Sequence, residues 1–133
     1  MITTYEEYLE KSKSLTIGRM QEIHTEMLLD IAGDLDAKEL YEELIKTATK
    51  YAAFRSEWLL WDRITKIERD DSRTSCHNSL IVKFNMLARY VKSQGKEAKW
   101  RDSLGYEKDD KYNRKTIGDF ACYLVFINSL NAR

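Results

Sequence analysis

The sequence predicts an all-α protein, a single helical domain of five or six helices spanning residues 1–133. Three observations carry that expectation. The chain holds no proline in 133 residues, and proline is the residue that most often punctuates loops and breaks helices. Its apolar residues recur at intervals of three and four, the spacing of one helix face. No Asn-Gly or Asp-Gly turn separates two β-branched runs, so no strand hairpin is expected.

The first helix is expected to open at Thr4, with Glu7 as its capping-box partner, and to end or bend over 14–18. The second carries Ile17, Met20, His24, Met27, Leu28 and Ile31 on one face, and Gly33 is placed to stop it. Asp36 with Glu39 is another capping box, at the head of the longest helix, which is expected to run unbroken and central over 37–69. At about 100° per residue, Ala37, Leu40, Tyr41, Leu44, Ala48 and Tyr51 form one stripe. Past Ala53 the stripe dissolves, because Phe54, Trp58, Leu59, Leu60, Trp61, Ile64 and Ile67 point in nearly every direction. A helix apolar all round is buried all round. That half is therefore either the centre of the bundle or a subunit contact, where tryptophan is enriched. Asp70, Asp71 or Ser72 caps a fourth helix that runs to about Gln94. A short helix over 97–104 and a polar loop over 107–113 follow. The last helix is expected to start near Thr116, with Asp119 beside it, and to run almost to the C-terminus.

Composition narrows the function classes. Charged residues make up 33% and apolar residues 43% of the chain, a balance that suits a folded, soluble domain. The longest apolar run, Phe120 to Ile127, is too short to span a bilayer, and no signal peptide is read at the start, so no membrane partner is expected. Two cysteines do not make a disulfide framework, which points to a reducing cytoplasm. The formal net charge is zero, with 22 basic and 22 acidic side chains, but zero is a cancellation. Residues 1–71 carry net −6 and residues 72–133 net +6. Oppositely charged halves suit docking within one chain or head-to-tail pairing of two copies.

Few residues point to chemistry. His24 lies in an apolar stripe and reads as a core histidine with a hydrogen-bond partner. Arg73 and His77, one turn apart, project toward the face carrying Leu80, Phe84, Leu87 and Val91. Either a structural Arg–His–acid network or a small polar pocket binding an anion would satisfy them. Cys76 and Cys122 read as inert buried thiols. No His-Glu-x-x-His, Cys-x-x-Cys, Glu-x-x-His pair or Gly-rich phosphate loop is present, so no metal or other cofactor is expected. The strongest local charge lies between Lys83 and Arg101. If helicity continues there, Arg89, Lys92, Lys96 and Lys99 share one face, with Trp100 and Arg101 beside them. Such a face could track phosphates and stack bases, or it could be a solvated surface.

Two resemblances add to this. Glu39-Leu-Tyr-Glu42 followed by Glu68-Arg-Asp-Asp71 resembles the paired acidic motifs of the all-helical MazG-type nucleotide pyrophosphohydrolases, which implies four acids holding Mg²⁺. On one straight helix the two pairs would stand roughly 40 Å apart at 1.5 Å per residue, and no glycine or proline between them offers a hairpin. Position 38 is lysine where that family has an acid. The second resemblance rests on Arg73-Thr-Ser-Cys-His77-Asn78, Trp100-Arg-Asp-Ser-Leu-Gly105 and Arg114-Lys-Thr-Ile-Gly-Asp-Phe-Ala121. These blocks look like those of a small helical family of unknown function from Gram-positive bacteria. That resemblance implies a bacterial cytoplasmic protein and transfers no catalytic residue.

The function expected is that of a small, non-enzymatic interaction protein, self-associating as a homodimer or binding another protein through Phe54, Trp58, Trp61 and their neighbours. The alternatives are a nucleic-acid-binding accessory protein and, third, the Mg²⁺-dependent hydrolase.

Overall fold

The computed structural model describes residues 16–104 and 111–131, with side chains at 16–104 and 116–130. The expected helix from Thr4 and most of the loop before the last helix lie outside the described residues. Among them the fold is all-α, with six helices: α1 (Ile17–Ile31), α2 (Leu35–Leu60), α3 (Arg63–Glu68), α4 (Asp70–Ser93), α5 (Lys99–Ser103) and α6 (Lys111–Asn131).

Each boundary has a local cause. Thr16 caps α1 by accepting the Arg19 N–H at 3.1 Å. Gly33, in the left-handed region at φ 75, ends the turn after it, a conformation that glycine adopts without steric cost. Asp34, rather than Asp36, caps α2, accepting the Ala37 N–H at 3.1 Å. The same carboxylate accepts the Tyr90 hydroxyl at 2.9 Å, tying the head of α2 to the end of α4. The Ala37 N–H first, and then Tyr90, hold the Asp34 carboxyl below its usual range.

The helix expected unbroken over 37–69 stops at Leu60. Trp61 and Asp62 are extended, at ψ 149 and ψ 173, and the Asp62 side chain caps α3 by accepting the Thr65 N–H at 2.8 Å. The signal was an Asp-x-x-Thr cap inside an apolar-rich run, and it needed neither glycine nor proline. The chain therefore folds back, and α4 runs antiparallel to α2. The last helix starts at Lys111, ahead of the expected Thr116, and Thr116 is buried in its interior.

α2 lies between α4 and α6, while α1 and α5 close one end. The core is one cluster that includes Ile23 and Met27 from α1, Leu44 and Ala48 from α2, Leu80, Phe84 and Leu87 from α4, Trp100, and Ile117, Phe120 and Leu124 from α6. Phe84 meets Phe120 with ring centroids 6.0 Å apart. The first half of α2 is central, as expected. The stretch past Ala53, which continues through the end of α2 into α3, is not buried all round: Leu59, Leu60, Ile64 and Ile67 are 74%, 87%, 69% and 67% exposed. In α1, Ile23 takes the buried place expected of Ile17 and Leu28, which sit at the edge of the stripe and are exposed.

Candidate functional site

The bend between α2 and α3 gathers the three residues expected to drive self-association. Phe54 and Trp58 stack with centroids 6.2 Å apart, and Trp61 meets Phe54 edge-on at 5.3 Å and Trp58 at 5.9 Å. The extended backbone at Trp61 turns its indole back over the last two turns of α2. From α4, the Arg73 guanidinium lies 4.8 Å from the Trp58 ring centroid. The Arg69 guanidinium, between α3 and α4, lies 5.6 Å from that of Trp61. A cation over an indole face is attracted by the ring quadrupole. All three aromatic residues end half-buried. The surface left open is the aliphatic one beside them, Leu59, Leu60, Ile64 and Ile67.

Arg73 and His77 do not form the expected pocket. Arg73 is exposed and spends its charge on Trp58, whereas His77 is half-buried and edge-on to Tyr51 at 5.8 Å. Two open grooves run beside α4, of about 520 and 590 Å³. Their lining includes Asp71, Ser75, Ser79, Lys83 and, in one, Lys50, and excludes both Arg73 and His77.

Around Tyr51 the structure assembles a polar junction that sequence reasoning missed. Arg55 donates to Asp119 at 2.7 Å and lies 3.8 Å from the Cys122 sulfur. The Tyr51 hydroxyl lies directly against Gly118, where a Cβ would collide with it. Burial, the largest influence, pushes the Tyr51 hydroxyl and the Cys122 thiol up, so both stay protonated at neutral pH. For Arg55 burial acts downward, but the Asp119 carboxylate outweighs it and the guanidinium stays charged. The junction locks α2 to α6. Its readable signal was Gly118, an isolated glycine inside an apolar helix, which marks a close approach. Two of the sequence blocks quoted above, those around His77 and Gly118, both contact Tyr51.

A second junction joins α1, α2 and α6. Asn128 Nδ2 donates to the Tyr41 hydroxyl at 3.0 Å and to the Leu124 carbonyl at 2.8 Å. Tyr41 lies 3.0 Å from His24 Nε2. His24 is a buried core histidine with a partner, and burial lowers its pKa.

The expected nucleic-acid face is broken up. α4 ends at Ser93 and Gly95 turns the chain at φ 86, so Arg89 and Lys92 lie on one element, Lys96 in a loop and Lys99 at the head of α5. Those four are exposed, and Lys99 pairs with Glu97 at 3.1 Å. Trp100 and Arg101 are core residues, 0% and 5% exposed. Trp100 Nε1 donates to Asp30 at 3.0 Å, and Arg101 Nε donates to Asn85 at 2.7 Å. Neither can stack on a base or reach a phosphate without unfolding α5.

The acidic motifs stay apart for a reason other than the one expected. A hairpin does form, but it sets the pairs at opposite ends. Tyr51 faces His77, so Glu42 lies about 13 Å toward one end and Asp71 about 9 Å toward the other at 1.5 Å per residue. Glu39, Glu42, Glu68 and Asp71 are all exposed, and among the described residues no group of three metal-ligating side chains converges. No described helix is long and apolar enough to cross a membrane. Comparison with protein-family models, curated proteins and solved structures returns no match.

Proposed function

We propose that the protein is a non-enzymatic, self-associating module of a reducing cytoplasm, and that a second copy covers the tip of the α2–α3 bend. One observation carries this: four large aliphatic side chains in nine residues stand more than half exposed around a half-buried aromatic cluster. Scattered exposed apolar residues are ordinary, whereas a contiguous patch marks a contact. The magnitudes are comparable, which places association within reach of this patch. Burying these four side chains on each of two copies is worth on the order of 10–20 kcal/mol, against roughly 4–15 kcal/mol for association. Charge does not oppose it, because residues 57–73 carry four basic and five acidic side chains. An isologous contact needs a patch that tolerates its own copy. Both cysteines are free, with burial the main influence raising their pKa, which suits the compartment.

Leu60→Asp combined with Ile67→Asp tests this. The exposed positions predict an unchanged helical spectrum and loss of the dimer by light scattering. A double variant that stays fully dimeric would remove the tip from the interface.

A further inference from the structure

We infer that the second copy docks face to face, with the two α3 helices crossed, and that Arg63 of each copy pairs with Glu68 of the other. This rests on the self-association reading and names the side chains that give the contact its register.

Two observations on α3 carry it. The first is the order of residues round the helix. Thr65 and Lys66 are half-buried, whereas Arg63, Ile64, Ile67 and Glu68 are exposed. At about 100° per residue, the open face runs from Arg63 to Ile67 about 40° on, Ile64 at about 100° and Glu68 at about 140°. The two isoleucines are therefore flanked by a cation on one side and an anion on the other. Arg63 and Glu68 also stand at opposite ends of the helix, so they mark one diagonal of the open face, and Ile64 and Ile67 mark the other. A two-fold axis along the isoleucine diagonal sets Ile64 and Ile67 each on its own copy. The same axis sets Arg63 against Glu68 twice. The two α3 helices then cross near a right angle, a rarer packing that helices of six residues accommodate.

The second observation is that these charges have no counterpart within one copy. Among the described residues, no charged side chain over 57–73 forms an ion pair, although other segments form them. Arg63 is the first residue of α3 and Glu68 the last, so each sits at the end of the helix whose partial charge repels it. On opposite edges and at opposite ends, the two cannot neutralise each other. An arrangement that works against its own helix is accounted for when the compensating charge comes from outside. An apolar centre with a charged rim is the anatomy of a protein contact. Opposite charges there fix register, and like charges are penalised.

Charge reversal tests the pairing. Arg63→Glu sets two carboxylates against each other at both symmetric contacts, and Glu68→Arg sets two guanidiniums against each other. Both positions are exposed, and each new charge suits its end of α3, so the helical spectrum should not change. Each single variant is expected to weaken the homodimer by more than about tenfold in sedimentation at low salt. The chain carrying both Arg63→Glu and Glu68→Arg is expected to recover the wild-type affinity to within about threefold. An equimolar mixture of the two single variants should form a heterodimer, and high salt should narrow the differences. Single variants that dimerise like the wild type, or a doubly reversed chain as weak as the single ones, overturn the pairing and leave an apolar contact at the tip in another register. A wild type that stays monomeric overturns the self-association reading and the pairing with it. Should a reversal unfold the chain, a double-mutant cycle of Arg63→Ala and Glu68→Ala decides. The pairing requires a coupling of more than about threefold in the dimer affinity, and additive effects overturn it.

Discussion

Gly118 shows how a single atom position settles packing. Alanine there would gain roughly 1 kcal/mol of helix propensity, but its Cβ would meet the Tyr51 hydroxyl, and overpacking of this kind costs about 1–3 kcal/mol. The clash should win, so Gly118→Ala is expected to lower stability in urea titration, and adding Tyr51→Phe should recover most of the loss. His24 gives a second residue-scale test. Its folded pKa is lowered from 6.5 by burial, so the unfolded chain takes up a proton first as the pH falls. Its contribution is complete above pH 6.5 and is lost progressively below, until the folded-state pKa is reached. The melting temperature should therefore fall between pH 7.5 and 5.5, and His24→Gln, which can still hydrogen-bond Tyr41, should flatten that slope. Asp34 and Asp62, whose carboxyls are held below their usual range, act in a separate window at lower pH.

At the scale of elements, periodicity made the helices legible but not the way they terminate. α1, α4 and α5 lie where the sequence places them, because Gly33 and Gly95 need a left-handed backbone that favours glycine. The α2–α3 break was missed because its determinant is a side-chain cap, Asp62 on Thr65, in a run that holds neither glycine nor proline. Short-range spacing also misread α5. Trp100 and Arg101 looked like members of a basic, aromatic face, yet their partners, Asp30 and Asn85, lie on α1 and α4, beyond the reach of any local pattern. Trp100→Phe keeps an aromatic ring in the core, but it removes the N–H donated to Asp30 and leaves a cavity where the rest of the indole stood. It is expected to cost about 2–4 kcal/mol in chemical denaturation, with no change in any affinity for DNA or RNA. A variant that weakened nucleic-acid binding without touching stability would restore that helix to a surface role.

Across the whole chain the net charge divides at the α2–α3 bend, −6 over residues 1–62 and +6 over residues 63–133. The fold class was legible in the absence of proline and in the three-four spacing. The candidate surface was half legible: Phe54, Trp58 and Trp61 do cluster, but Arg69 and Arg73 partly cover them, and the open part is the aliphatic stripe around Leu60 and Ile64. Hydropathy locates such a patch but cannot tell which of its side chains their own chain will shield, because the shielding cations come from beyond the bend. Sedimentation velocity of the wild-type chain over a concentration series is the most direct test. The expected result is a concentration-dependent shift from the 15.7 kDa monomer to a species of twice that mass, absent in the Leu60→Asp, Ile67→Asp double variant. A single 15.7 kDa species at every concentration would contradict self-association through the bend.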